Sequence, residues 1–509
     1  MEKIQCIKGF YMTAVLALTA SCHPSGGPAG VTLFPANGAK DVNPDTHLVL
    51  NFNEMPSVGE TGMIRIWDTS TGQMVDSLDL SIPAGPQEPD MLRKQQAVYT
   101  PVPYTYETTG ITNINTVPGT PSGEAVRDTS NYQLTIIGGF SDAFRFHPVL
   151  VHDSVATVYL HNNVLEYGKT YSVTIDPGAL TTASGAFTGI EPKQWQFSTK
   201  AKAPAAETRK LVVSADNSGD FNTVQGAMDF IPDFSEEKWE VFIRNGDYEE
   251  LVYFRNKCNV SIIGESREGV VIHYPNNETF NPHPINLRTN EVPGTFPSRR
   301  AAFAADNCYG LRFENLTIRN DLKGQAEGLL IMGAKNYLKN VHIIGSGDAL
   351  QANGPVYLVD CAIDGDGDSI LGRGPGFYRN CTLTSGGPFM WIRNTGANHG
   401  NVFVHCTFRG RDSESVLARS PGNHGKFYPY AEAVLIDCTL ENIPPAGWGD
   451  IYDEHGTTFF REYNSRTPDG QPADVSKRNP LSGQLDAVKD AKIIAGYSDP
   501  VFVLGWNPE

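Results

Sequence analysis

Basic charge is scarce in this chain: 40 Lys and Arg stand against 57 Asp and Glu over 509 residues, a formal net charge of −17. Binding to nucleic acid rests on a basic footprint that displaces phosphate counterions, so a nucleic-acid partner is excluded. The eight cysteines form no Cys-x-x-Cys pair, which removes the common structural zinc frameworks. Long apolar runs are missing as well. Met12 to Ala20 is too short to span a bilayer as a mature helix, and no other apolar segment is long enough. The acidic run Asp364-Gly365-Asp366-Gly367-Asp368 is not an EF-hand loop, because positions six and twelve fall on Ser369 and Pro375, where Gly and Glu are required. Fifty Gly and 34 Pro argue against a helical bundle and for a turn-rich β protein, while 40% hydrophobic residues can fill two or three cores.

The N-terminus has the form of an export signal. Lys3 and Lys8 precede the apolar run, which ends at Ala20-Ser21-Cys22. That ending resembles a bacterial lipoprotein cleavage site, so residues 1–22 are expected to be a signal peptide. An exported, lipid-anchored protein of the bacterial envelope follows, touching the membrane only through Cys22. Residues 23–30 form a Pro/Gly/Ser tether. Residues 31–200 alternate like strands, as in His47-Leu48-Val49-Leu50-Asn51-Phe52 and Tyr171-Ser172-Val173-Thr174-Ile175. Pro35-Ala36-Asn37-Gly38-Ala39 with Phe52-Asn53-Glu54 resembles the start of a bacterial Ig-like domain, with residues 84 to 150 read as an insertion. Residues 201–208 read as a linker. Beyond it, Thr223 to Ile231 predicts a helix, with Val224, Ala227, Met228 and Ile231 on one face and Pro232 as the stop.

From residue 209 to 509 a short strand recurs. Asn315-Leu316-Thr317-Ile318, Asn340-Val341, Asp360-Cys361, Asn380-Cys381-Thr382-Leu383, His405-Cys406-Thr407-Phe408 and Asp437-Cys438-Thr439-Leu440 follow one another at 20 to 32 residues, with an earlier copy at Asn259-Val260. Units this short, between Gly/Asn/Pro turns, predict a solenoid of parallel β coils about 4.8 Å apart. Cys361, Cys381, Cys406 and Cys438 share one coil position and are expected to be buried free thiols. Past Glu441 the repeat fades, and an aromatic-rich tail along the solenoid is expected. Asp348 and Asp368 each lie seven residues after equivalent positions, Val341 and Cys361, so the two carboxylates are expected to stack. Stacked carboxylates disfavour simultaneous ionisation, which suits one to attack and the other to hold a proton.

In their order, Gly246-Asp247-Tyr248-Glu249-Glu250, Gln325-Ala326, Gly347-Asp348-Ala349-Leu350, Asp368-Ser369-Ile370-Leu371-Gly372, Leu417-Ala418-Arg419 and Pro445-Ala446-Gly447-Trp448 resemble the pectin methylesterases. The resemblance runs from about Leu211 to the C-terminus. It implies an all-β chain, a right-handed parallel β-helix preceded here by an Ig-like β-sandwich. It also implies hydrolysis of galacturonate methyl esters in pectic polysaccharide or oligosaccharide, by a monomer with no cofactor and no metal. Asp368 is then the nucleophile, Asp348 the general acid and later base, Arg419 the group that holds Asp368 ionised, and Gln325 an oxyanion donor. Trp391 is expected to offer a stacking face to a uronate ring and Arg373 a partner for a substrate carboxylate. The family has Gln where this chain has Gly347 and Trp where it has Pro421, so an oxyanion donor and a sugar platform are expected to be lost. A β-helix pectate lyase or polygalacturonase that cuts the backbone, and a non-catalytic glycan-binding β-helix, stay open as alternatives.

Overall fold

A computed structural model describes residues 30–85, 132–138, 144–281, 298–413, 415–419, 428–451, 453 and 456–509. The expected signal peptide, Cys22, all of the tether but Gly30, Pro421 and most of the expected insertion lie outside them.

The described residues between 31 and 199 form two larger sheets, beside two two-stranded ones. One is antiparallel, in the order Val31–Phe34, Leu48–Phe52, Val155–Val158, Val149–His152. The other runs Ala39–Val42, Gln196–Thr199, Thr170–Ile175, Met63–Asp68, Met74–Asp79, with its first pair parallel. Alternation explains the burial: in Leu48–Phe52 the first, third and fifth side chains are buried and join Ile64, Ile66, Val173 and Trp195 in one core. The Trp195 indole N–H finds its partner in the Pro35 carbonyl at 2.8 Å. Residues 201–208 contain neither helix nor strand.

The rest of the chain is a parallel β-helix. Every strand pairing from Lys210–Val213 to Gly483–Gln484 is parallel, and pairs such as Val356↔Gly376 and Ala362↔Thr382 are one coil of twenty residues apart. A second, six-stranded parallel sheet contains Leu329–Ala334, Leu350–Asn353, Ile370–Gly372 and Met390–Ile392 on successive coils. The recurring Asn/Asp has a backbone cause. Asn259, Asn315, Asn340, Asp360, Asn380, His405 and Asp437 all have φ between +52° and +56°, a left-handed turn that short polar side chains tolerate better than most. Stacked side chains reinforce it, as where Asn340 Nδ2 donates to Asn315 Oδ1 at 2.9 Å.

The residue after this turn points inward. Cys361, Cys381, Cys406 and Cys438 are buried free thiols, and burial raises the pKa of Cys361, Cys381 and Cys438, so they pack as small apolar groups. The coil repeat outlasts the sequence expectation. Phe459–Tyr463 adds another parallel strand, and Asn464 takes the left-handed position at φ +53° with Ser465 where Cys is expected. That Cys-to-Ser change hides the last turn from the pattern. Two short helices then follow, Ala491–Tyr497 and Pro500–Leu504, and cover an outer column of Tyr357, Phe377, Val402 and Val434.

The predicted cap helix is Val224–Phe230, with the Thr223 hydroxyl accepting from Gly226 N–H at 2.9 Å. Glu250 completes this terminus, accepting from the Val224 and Gln225 N–H groups at 2.8 and 2.9 Å. Across the junction, Asp45 of the sandwich accepts from Asn222 N, Thr223 N and the Thr223 hydroxyl, each at 2.8 Å. Glu250 of the Gly-x-Tyr-x-Glu element is thus a structural cap. The two domains meet at this helix end and at further contacts, such as the Tyr159 hydroxyl donating to Glu249 at 2.7 Å and Asn162 Nδ2 donating to Asp229 at 3.0 Å.

Candidate active site

The catalytic candidates sit at the N-terminal ends of the strands of the six-stranded sheet. Its register pairs Leu329 with Leu350 and Leu350 with Ile370, so the residues two places earlier, Glu327, Asp348 and Asp368, occupy one column on three successive coils. The sequence reading found the last two; the structure adds Glu327. Asp368 has φ +44°, left-handed backbone at the residue expected to do the chemistry.

Two guanidiniums hold the column. Arg419 binds Asp368 with both arms, Nε to Oδ1 at 2.7 Å and Nη2 to Oδ2 at 2.6 Å. Arg300 spans the others, donating from Nε to Glu327 Oε1 at 2.7 Å and from Nη2 to Asp348 Oδ2 at 2.8 Å. Its third contact is Nη1 to Gln325 Oε1 at 3.0 Å. A guanidinium only donates, so the Gln325 oxygen must face Arg300, and the amide nitrogen is the end left to donate elsewhere. Arg300 therefore orients both the expected acid and the expected oxyanion donor. Glu278 lies 3.6 Å from the same guanidinium.

Burial dominates the electrostatics. It pushes Asp368 up to about 6 against the pull of Arg419, with the Asp348 charge adding to the rise. Asp348 is also raised, by burial first, with Arg300, Arg393 and Arg419 opposing. Glu327 reaches about 7, again from burial against Arg300 and with Asp348. Three carboxylates in one buried column cannot all ionise cheaply, so the column retains a proton near neutrality.

Trp391 is placed by parallel pairing with Leu371 and by a bridge to Arg419. The Arg419 guanidinium lies 4.1 Å from the centre of its ring and that of Arg393 lies 4.6 Å away. Its ring thus carries cations before any sugar, and it braces the arginine that binds Asp368. Arg373 and Arg393 follow the strands Ile370–Gly372 and Met390–Ile392 one coil apart. Gly347 has φ +71°, and a Cβ there would lie 3.0 Å from the Gly324 carbonyl oxygen. A glutamine cannot enter this backbone without strain, so the departure at Gly347 is built into the turn itself.

The acidic run does not converge on a cation. Asp364 pairs with His342 at 2.8 Å, Asp366 with Arg411 at 2.7 Å, and Asp368 with Arg419. Elsewhere Glu249, His273 and Asp321 approach one another, but His273 Nδ1 already bonds Asp321 at 2.5 Å, and Glu249 accepts from the Tyr159 hydroxyl at 2.7 Å.

Residues 210–503 match the family model described as Pectinesterase. A pectinesterase of Arabidopsis thaliana, QRT1, is 30% identical over 309 residues, covering 55% of this chain and 75% of the relative. The chain belongs to the pectinesterase family. Another family member, a pectinesterase of Daucus carota, is 26% identical over 313 residues, 58% of this chain and 94% of the relative. Among solved structures, pectin methylesterase from carrot aligns at 20% identity with a TM-score of 0.47, over 59% of this chain and 95% of that one. Membership makes the chain a carboxylic ester hydrolase. Arg300, Glu327 and Arg393 were missed by sequence reasoning; Glu327 could have been found, because it lies one coil before Asp348.

Proposed function

We propose that this pectinesterase hydrolyses methyl esters of galacturonate in pectin to free carboxylate and methanol, with Asp368 as nucleophile. The observation that carries the assignment is the two-armed Arg419–Asp368 pair one coil from a second buried carboxyl group, that of Asp348, whose pKa burial raises. Asp368 attacks the ester carbonyl, and the Gln325 amide donates to the oxygen that gains charge. Asp348 gives its proton to the departing methoxide, leaving an acyl-enzyme between Asp368 and the uronate. Ionised Asp348 then takes a proton from water, which cleaves the acyl-enzyme and restores both groups. No step calls for a cofactor.

The N-terminal sandwich fits an Ig-like module, and Cys22 is the proposed lipid anchor of an exported protein. Cys22→Ala should move the protein from the membrane fraction to the soluble fraction; equal partitioning removes the anchor. The activity is tested by incubating purified protein with methylated pectin and following methanol and chain length together. Methanol without chain shortening is expected, whereas chain shortening without methanol supports backbone cleavage instead.

A further inference from the structure

The stretch that reads as an insertion in the N-terminal domain ends against a segment that supports the candidate active site. Its strand Phe144–Arg145 pairs antiparallel with Leu134–Thr135 and lies against residues 276–281 of the β-helix. The contact is reciprocal: Arg145 N donates to Asn281 Oδ1 at 2.8 Å, and Asn281 Nδ2 donates back to the Arg145 carbonyl at 3.1 Å. The Arg145 guanidinium also donates from Nη1 to the Thr279 and Phe280 carbonyls at 3.2 and 3.1 Å. Two residues on, the His147 ring stacks on Phe280 with centroids 4.3 Å apart. Arg145 and Asn281 are both buried, so little water competes for these bonds.

From residues 276–281 the hydrogen bonds run on to the site. Asn281 Nδ2 also donates to Asn276 Oδ1 at 3.0 Å, which fixes the Asn276 amide so that its nitrogen donates to the Arg299 and Ala301 carbonyls at 2.7 and 2.8 Å. Those carbonyls flank Arg300, whose guanidinium binds Glu327, Asp348 and Gln325. Glu278 adds two further holds: its N–H donates to the Gln325 carbonyl at 2.9 Å, and its carboxylate lies 3.6 Å from Arg300. The Pectinesterase match begins at residue 210, so Arg145 lies outside the family domain. We propose that Arg145 is a positioning residue for the hydrolysis: acting through Asn281 and Asn276, it holds Arg300, and with it Asp348 and Gln325, in working geometry. The inference rests on the esterase reading. It makes the N-terminal domain a part of the catalytic apparatus. A displacement of about 1 Å at reacting groups can cost about a hundredfold in rate, so the effect falls on kcat.

The test compares the full-length wild type with Arg145→Gln, Arg145→Lys, Asn281→Ala and Tyr159→Phe. Methanol release by Arg145→Gln should fall roughly ten- to a hundredfold in kcat with KM little changed. Arg145→Lys keeps a cation able to donate to the Thr279 and Phe280 carbonyls and should recover part of the loss. Asn281→Ala removes the reciprocal pair and the bond to Asn276, so it should lower kcat likewise, and it carries the test if Arg145→Gln does not fold. Tyr159→Phe removes a different contact of the same domain interface, the bond to Glu249, and should leave kcat unchanged. In an Arg300→Gln background, Arg145→Gln should cost no further kcat, because it acts through Arg300. Hydrogen exchange, which needs no turnover, should quicken at the Glu278 and Asn281 N–H groups in Arg145→Gln. A folded Arg145→Gln or Asn281→Ala that melts earlier but keeps its kcat, or an equal loss in the Arg300→Gln background, overturns the proposal. Quickened exchange in a protein whose wild type releases no methanol sinks the esterase reading and upholds the hold on Arg300.

Discussion

Arg419→Gln probes the charge state of Asp368, the proposed nucleophile. In the wild type, Asp368 titrates at about 6, where burial raises it and Arg419 restrains the rise. Removing the guanidinium deletes two charge-assisted hydrogen bonds to the ionised carboxylate, at 2.7 and 2.6 Å, which lie between side chains 31% and 19% exposed. Hydrogen bonds to charged groups contribute roughly 1.5–3 kcal/mol. Water reaches both groups and a glutamine amide can still donate once, so the lower end applies, about 1.5 kcal/mol. At 1.36 kcal/mol per unit this moves the acid limb up by about one pH unit. The sign follows from losing a cation: the carboxylate becomes harder to ionise, so more of the enzyme is inactive on the acid side. At pH 6 the active fraction falls from about one half to about one tenth. Methanol release measured as kcat/KM from pH 4 to 9 resolves this shift apart from any drop in the plateau. An acid limb that stays put or moves down refutes the role given to Arg419.

Gln325→Ala should cut kcat by about 10²–10³ while leaving the pH limbs in place, because it removes a donor to the oxyanion and no titrating group; a change in KM alone would contradict that role. Asp348→Asn should abolish the alkaline limb along with most of the turnover, since it removes the carboxyl group proposed to hold the leaving-group proton; a surviving alkaline limb assigns the proton to another group, Glu327 first. Gly347→Gln, at φ +71°, should lower the melting temperature without raising turnover; a gain in turnover would mean that the turn accommodates the side chain as a donor.

The fold was legible because a coil of about twenty residues repeats its chemistry. A left-handed turn every coil favours Asn or Asp, an inward position takes Cys in four coils, and equal offsets bring Asp348 over Asp368. The same column includes Glu327, 21 residues before Asp348, but it lies eleven residues after Leu316 rather than seven, so the equal-offset pattern passes over it. Arg300 reads in sequence as half of a basic pair after Ser298, and only its three contacts show that it organises Gln325, Glu327 and Asp348. Trp391 was expected to face a sugar. Its ring also lies close to the guanidiniums of Arg419 and Arg393, a cation-π arrangement between separate coils that no local pattern encodes. The sandwich was legible in its alternation, whereas its docking through Asp45 onto the end of the helix Val224–Phe230 depends on contacts 177 and 178 residues apart.

The central claim is that Asp368 attacks the ester. Asp368→Asn preserves shape and removes the attacking charge, so methanol release from methylated pectin should fall below a few per cent of wild type at every pH while the protein stays folded by circular dichroism. A folded Asp368→Asn variant that retains substantially more activity contradicts the account.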